Sequence, residues 1–446
     1  MGGIRFGTDG VRGRAFDELS EALAYEIGRA AALELQGDQA VIGRDTRESG
    51  PALRDALARG LADGGVEPLD LGVVPTPGVA FAAASRGAIG VMVSASHNAW
   101  HDNGIKLFTR EGNKLSDGEQ AGIEARLDAA TDTESAQDAR QSDTAVTLAS
   151  AQTDVGDWVR SVAGSVGNRL DRLRVIVDAA NGAASHVVAP ALADLGAEVT
   201  VLFNRPDGRN INEGCGSTHP QALAAAVVDQ GADVGIALDG DADRLLCVDH
   251  LGRVVDGDRL MALLATGLRA RGRLTDDVVV VTVMSNLGFH RAMDSLGIRV
   301  EVTAVGDRHI LEALSTNRWS FGGEQSGHLI FRDLATTGDG FLSAVQLLDL
   351  LADSDRPLAE LADAAMTRFP QILENVRVAD RVADPAADLA EEIAAAEAEL
   401  GADGRVLIRA SGTEPLIRVM VEAADEAMAE RVCADLCDAT TARFGG

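Results

Sequence analysis

The sequence predicts three related α/β domains with mainly parallel, mixed sheets and a smaller C-terminal α+β domain. Length is the first reason: 446 residues, 46% of them hydrophobic, exceed what one core holds at about 100–200 residues per domain. A recurring unit is the second. "AVIGRDTRESGPALRDALARGLADGGVEPLDLG", "LRVIVDAANGAASHVVAPALADLGAEVTVLF" and "DVVVVTVMSNLGFHRAMDSLGIRVEVTAVG" each open on a β-branched strand, turn through small or polar residues, continue as an amphipathic helix and return to a strand after Gly. Strands alternating with helices in this way are βαβ units, and their spacing is too wide for a solenoid. The third reason is a change of pattern near Arg368–Pro370, where "QILENVRVAD", an acidic helix, "GRVLIRA", a Gly-Thr turn, "LIRVMVEA" and a last helix describe strands backed by helices.

Taken in order, the first domain covers 1–150, and its polar, acidic tail (128–154) joins it to the second. The second covers 151–251. A third, 252–368, begins after Leu251–Gly252 with the helix "DGDRLMALLATGLRARG". The fourth covers 369–446.

Charge narrows the function. Asp and Glu number 69 against 40 Lys and Arg, a net charge of −29, and no basic stripe is present, which excludes nonspecific nucleic-acid binding. Lys106 and Lys114 are the only lysines; such an acidic, lysine-poor surface suits high salt. Cys215, Cys247, Cys433 and Cys437 form no disulfide or zinc pattern and read as free thiols in a reducing cytosol. With no signal pattern and no apolar run near the ~20 residues that span a bilayer, a soluble, cytoplasmic protein with no membrane partner is expected.

Five segments carry chemistry. In "GVMVSASHNAWHDNGIKLF" a buried strand runs into a polar turn holding Ser94, Ser96, His97 and Asn98. Ligand sites in α/β sheets lie beyond the carboxyl ends of strands, so Ser96 is a candidate nucleophile and a helix-capping turn the alternative. A Ser-His-Asp triad is not expected from adjacent Ser96 and His97, since neighbouring extended side chains point apart. Lys106 follows in a chain that otherwise uses Arg. Lysine exchanges a proton when its pKa is lowered and Arg does not, which makes Lys106 a candidate acid/base.

"IALDGDADR" ends an apolar strand in Asp239, Asp241 and Asp243, whose spacing of two points three hard oxygen ligands to one side and suits Mg²⁺ or Ca²⁺. An EF-hand is rejected because Arg244 and His250 stand where it needs Gly and Glu. In "WSFGGEQSGHLIF", alternating Glu324, Ser326 and His328 can grip sugar hydroxyls, or belong to a polar hairpin. "RASGTEPLIR" places Arg409 and Arg418 around a turn of Ser411, Gly412 and Thr413, an anion nest with two guanidinium groups. "FGTDGVRG" is a Gly-rich turn around Arg12 without the ending of a nucleotide P-loop.

In their order along the chain, from "FGTDGVRG" to "RASGTEP", the five segments resemble the α-D-phosphohexomutase superfamily over the whole chain, and within it the phosphoglucosamine mutases. The resemblance implies three α/β domains and a small fourth one around a central cleft. It implies that Ser96 carries a phosphoryl group, that Asp239, Asp241 and Asp243 hold Mg²⁺ with a phosphoserine oxygen, and that Arg12, His97, Lys106 and Arg244 surround that phosphate. Glu324 and Ser326, with His328 nearby, match the sugar-binding residues; Arg409, Ser411, Gly412, Thr413 and Arg418 match the clamp for the nonreacting phosphate. The implied reaction interconverts glucosamine 6-phosphate and glucosamine 1-phosphate through a hexose 1,6-bisphosphate, with phosphomannomutase or phosphoglucomutase activity as the alternative. A sugar phosphatase and a noncatalytic sugar-phosphate sensor are the rivals from other classes. Ala99 stands where many relatives have Pro, and Ala304 where many have Lys.

Overall fold

The computed structural model describes residues 6–7, 10–130, 146–411 and 415–445. The first sheet holds β1 (Val11–Arg14), β2 (Gln39–Arg44), β3 (Glu67–Val73), β4 (Ile89–Val93), β5 (Asp102–Phe108) and β6 (Ala149–Ser150), in the order β1-β5-β4-β2-β3-β6. β2 runs parallel to β3 and β4, while β5 lies antiparallel to β4 and β1. β4 reads Ile-Gly-Val-Met-Val and is buried throughout, as expected of a strand covered on both faces. On one face Ile42, Val91 and Val93 pack with α1 (Glu21–Leu35) and α2 (Gly50–Asp63) through Ile27, Ala31, Leu57 and Leu61. On the other, Val41 and Met92 pack with Val79 and Ala83 of α3 (Thr76–Arg86); α4 (Asp117–Ala130) follows β5.

α5 (Gln152–Ala163) leads to the second sheet. It comprises β7 (Arg174–Asp178), β8 (Glu198–Leu202), β9 (Val234–Leu238), β10 (Leu245–Asp249) and β11 (Val254–Val255), ordered β11-β10-β9-β7-β8, with α6 (Val188–Asp194) and α7 (Gln221–Gln230) in its crossovers. After α8 (Gly257–Ala270) comes the third sheet: β12 (Val278–Thr282), β13 (Arg299–Thr303), β14 (Phe321–Gly323) and β15 (Leu329–Phe331), ordered β13-β12-β14-β15. Its helices are α9 (Leu287–Leu296), α10 (Asp307–Asn317), α11 (Gly340–Ala352) and α12 (Leu358–Ala365). The fourth sheet is antiparallel, with β16 (Gln371–Arg377), β17 (Arg405–Ala410) and β18 (Leu416–Glu422) in the order β16-β18-β17. Three helices accompany it: α13 (Pro385–Asp388), α14 (Ala390–Leu400) and α15 (Glu426–Phe444).

One joint recurs in the first three sheets. A parallel strand hands over to an antiparallel neighbour from β4 to β5, from β9 to β10 and from β14 to β15. The turns at these joints carry Ser96, the Asp239–Arg244 segment and the Glu324–His328 segment. The fold places three of the five motifs at one topological position, beyond the carboxyl end of a parallel strand.

The chain divides into two compact units. One runs to Val283 and resumes over Arg299–Asp363; the other combines Met284–Ile298 with the chain from Ala364 onward. α9 therefore sides with the fourth sheet. Asn286 Nδ2 donates to Glu422 Oε1 (3.1 Å) and to the Phe369 carbonyl (3.0 Å), and Leu287 N donates to Glu422 Oε2 (3.1 Å). Among the described residues no helix is long and apolar enough to cross a membrane.

Candidate active site

Within the first unit the serine turn is not extended. Ser96 is fully buried with φ = 53°, in the left-handed region that a non-glycine residue adopts only when its surroundings hold it there. This overturns the premise that the side chains of Ser96 and His97 point apart: Ser96 Oγ lies 3.4 Å from His97 Nδ1. Ser96 Oγ donates to Asp239 Oδ2 at 2.5 Å, so no Ser-His-Asp relay is formed.

The surroundings that hold the turn were not singled out from sequence. Arg47 is fully buried, and its guanidinium donates to four carbonyls of the turn: Ser96 (3.0 Å), Asn98 (2.9 Å), Ala99 and Asp102 (3.0 Å). Asp45 pairs with Arg47 Nε (2.8 Å) and accepts from Ser94 Oγ (2.6 Å), and Ser94 Oγ in turn accepts from Ser96 N (3.0 Å). Asn212 Nδ2 adds bonds to the Ser96 and Asn98 carbonyls at 2.9 and 3.0 Å. Burying an Arg is tolerable only when its donors are met, and here the strand-end backbone meets them. The signal was present in "GRDTRESG", which looks like an ordinary polar turn.

Asp239, Asp241 and Asp243 are all buried, and one oxygen of each lies within 4.8 Å of those of the others. They sit on a turn after β9 with Ala242 at φ = 54°, so their convergence comes from that turn and not from extended alternation. Gly240 is required here, since a Cβ would lie 2.5 Å from the Ser96 carbonyl and push the two turns apart. Lys106, on β5 and 3% exposed, reaches Asp241 Oδ2 at 2.8 Å and Asp243 Oδ2 at 3.0 Å. Thr76 braces Asp241 through Oγ1 to Oδ2 (2.5 Å) and through its amide to the Asp241 carbonyl (2.9 Å).

Two carboxylate oxygens, Asp241 Oδ1 and Asp243 Oδ1, remain buried without a hydrogen-bond partner. Unmet buried carboxylate oxygens beside a serine hydroxyl fit a hard divalent cation. Burial and the charges of Asp243 and Asp241 raise the Asp239 carboxyl well above the usual carboxylate range. Burial also opposes ionisation of Asp243, but Lys106 and His328 outweigh it and hold that carboxyl well below the usual range.

Arg12 lies on β1, its Nη1 3.4 Å from the Ala95 carbonyl. Arg244 directs Nε to within 3.8 Å of Asp243 Oδ1, and its backbone amide is 3.3 Å from Asp239 Oδ1. Burial first, then the charges of Arg244 and Arg12, lower the His97 pKa to about 4, so this imidazole is neutral near pH 7.

Glu324, Ser326 and His328 form a tight turn and not an alternating face. Gly327 N donates to the Glu324 carbonyl (2.9 Å) and Glu324 N to the His328 carbonyl (3.0 Å). Ser326 is exposed and Glu324 half-buried, its Oε1 accepting from Gly306 N (3.1 Å). The His328 imidazole, by contrast, turns inward: Nε2 lies 3.1 Å from Asp307 Oδ2 and Nδ1 3.7 Å from Asp243 Oδ1. Burial alone would lower its pKa, but Asp243 and Asp307 override that and raise it to about 10.

Arg409 and Arg418 belong to the second unit, where they are register partners across β17 and β18. Neither guanidinium is paired with a carboxylate among the described residues, and both Nε atoms are buried without a partner. Burial and the charge of Arg418 lower the Arg409 pKa. Ser411 N closes the strand end on the Leu416 carbonyl at 2.8 Å. Gly412 and Thr413 lie outside the described residues.

With this geometry in view, the comparisons decide the family. Models of the phosphoglucomutase/phosphomannomutase alpha/beta/alpha domains I, II and III match residues 3–134, 157–252 and 256–369, and that of the C-terminal domain matches 373–439. The chain belongs to the phosphoglucomutase/phosphomannomutase family. A phosphoglucosamine mutase of Pelotomaculum thermopropionicum is 50% identical over 427 residues, 94% of this chain and 95% of that protein. One from Saccharopolyspora erythraea is 50% identical over 446 residues, covering 98% of this chain and 99% of the relative. The crystal structure of a family member from Burkholderia thailandensis superposes with a TM-score of 0.80 at 27% identity, over 98% of this chain and 97% of that one. Membership of this family makes the chain a phosphosugar mutase, an isomerase.

Proposed function

We propose that this mutase interconverts glucosamine 6-phosphate and glucosamine 1-phosphate, with Ser96 as the phosphoryl carrier and Mg²⁺ held by Asp239, Asp241 and Asp243. The observation that carries the reading is the buried Ser96 hydroxyl, 2.5 Å from one carboxylate of a cluster that leaves two oxygens unmet. When bound, the cation would supply positive charge next to the phosphoryl group. The chain's own residues do the rest.

In the first half-reaction the phosphorus–oxygen bond to Ser96 breaks as one forms to the free sugar hydroxyl, giving the 1,6-bisphosphate. The sugar hydroxyl loses its proton as that bond forms; Lys106 is assigned the relay, passing the proton it already holds to Asp241, to which it donates at 2.8 Å, as it takes up the new one. Arg12 and Arg244 offset charge on the transferring group, and neutral His97 offers a ring nitrogen beside Ser96 Oγ. On return the serine hydroxyl must lose its proton, and Asp239, which already takes that hydrogen bond, is the acceptor within reach. Such a transfer depends on positioning and charge more than on covalent catalysis.

Both sugar ends must meet one serine, so the phosphate that is not reacting needs a separate holder; by the family resemblance Arg409, Ser411, Gly412, Thr413 and Arg418 are assigned to it. Glu324 and Ser326 are assigned to the sugar. The glucosamine assignment rests on the names of the 50%-identical relatives. Four free thiols support a reducing, cytoplasmic setting.

The test is kcat/KM for glucosamine, glucose and mannose 1-phosphates with a trace of hexose 1,6-bisphosphate. Glucosamine is expected to lead, with some turnover of the others, because exchanging hydroxyl for ammonium changes shape little. A lead for mannose or glucose overturns the substrate, and release of inorganic phosphate overturns the mutase assignment.

A further inference from the structure

We infer that Lys114 and Asp307 are positioning residues that hold the His328 imidazole away from Asp243 and so keep Asp243 Oδ1 open for the cation. The inference rests on the reading of the Asp cluster as a cation site. The imidazole sits between two carboxylates but not evenly, at 3.1 Å from Asp307 Oδ2 and 3.7 Å from Asp243 Oδ1. The nearer contact is an ion pair without hydrogen-bond alignment, since His328 Nε2 has no hydrogen-bond partner; the longer one exceeds a hydrogen bond, and Asp243 Oδ1 has none either. Were the ring to move toward Asp243, Nδ1 would occupy the oxygen that the cation needs.

Three features keep the ring where it is. Asp307, the first residue of α10, is itself paired with Lys114, and both are nearly buried at 8% and 11% exposure. Lys114 is set in place by a backbone bridge to Phe108 at the end of β5, the strand that carries Lys106. Gly338 lies flat against the ring, where a Cβ would stand 2.3 Å from His328 Nε2. Both lysines of the chain therefore act on Asp243, Lys106 directly and Lys114 through Asp307 and His328. Groups that orient a metal ligand from behind typically change metal affinity about 10–100-fold when removed.

A merely structural tie between β5 and α10 predicts something different, and the molecule contains its own control. Arg308, next to Asp307, pairs with Asp117, three residues after Lys114, but this pair does not touch His328. Magnesium affinity is to be measured by titration calorimetry on metal-stripped protein, alongside melting temperature. Asp307→Asn is expected to weaken binding about tenfold and Lys114→Met several-fold, while Asp117→Asn leaves it unchanged. Adding His328→Gln to Asp307→Asn should restore the affinity of His328→Gln alone, since no imidazole remains to close on Asp243. Wild-type affinity in both Asp307→Asn and Lys114→Met, equal weakening by Asp117→Asn, or no rescue in the double variant would overturn the inference. If wild type binds no magnesium, or Asp241→Asn binds it undiminished, the cation reading itself fails and takes the inference with it.

Discussion

Where β9 gives way to β10, three carboxylates share one buried space, and Lys106, Thr76, Ser96 and the Arg244 amide occupy all but two of their oxygens. Where β17 faces β18, two guanidinium groups stand as register partners with no carboxylate paired to either among the described residues. Both are like-charge clusters, which a fold does not gain stability by making. They differ in how far the protein has neutralised them. The first is nearly compensated by its own side chains and leaves room for one small cation. The second is left without a carboxylate, as the phosphate holder proposed above would require. The gap in compensation, more than the charge itself, indicates the ligand.

The largest break is expected where the carboxylate cluster meets Ser96, the proposed phosphoryl carrier. Ser96→Ala is expected to abolish turnover while costing only about 1 kcal/mol of stability, one hydrogen bond's worth. Intact mass should show a phosphate on wild type and none on the variant; turnover equal to wild type would remove Ser96 from the reaction. Next is Lys106→Arg, which keeps the charge between Asp241 and Asp243 but not the exchangeable proton. Turnover should fall by about 10²–10⁴-fold, and an unimpaired variant would leave Lys106 a counter-charge only.

The open cluster gives the third test. Arg418→Met is expected to raise KM about ten- to hundredfold with a smaller change in kcat, as loss of a charged hydrogen bond does. Inorganic phosphate should raise the melting temperature of wild type more than that of the variant. The smallest effect concerns pH. The His97 pKa lies at about 4 against an ordinary 6.5, so between these values the unfolded chain binds more protons. Its contribution to stability is complete above pH 6.5 and is lost as pH falls toward 4. Melting temperatures of wild type and His97→Asn, measured from pH 7 to pH 4, should diverge in that window; parallel curves would mean His97 is not held neutral.

Fold class was readable because three βαβ units repeat with their own turn and Gly punctuation. Their closing hairpins, which place every motif of the first unit beyond Arg12, carry no comparable signal. The Asp cluster was found by spacing, yet its convergence depends on a turn with Ala242 at positive φ, which no residue-type pattern announces. The alternation over Glu324–His328 misled for the same reason: a tight turn sends His328 inward while Ser326 stays exposed. Arg47, Asp45 and Asn212 went unassigned because a buried polar brace and a solvated loop residue look alike until the carbonyls they serve are known. Asp307 and Lys114 stayed hidden because they meet only across nearly two hundred residues of chain.

Arg47 has a consequence for the pace of the reaction. By gathering the carbonyls of Ser96, Asn98, Ala99 and Asp102 it spends the conformational freedom of the serine turn once, during folding. With Ser96 as the phosphoryl carrier proposed above, each catalytic cycle begins with that freedom already gone, so substrate binding energy need not be drawn off to order the serine. What remains to be ordered is the sugar itself, which must present first one end and then the other to a serine that stays still.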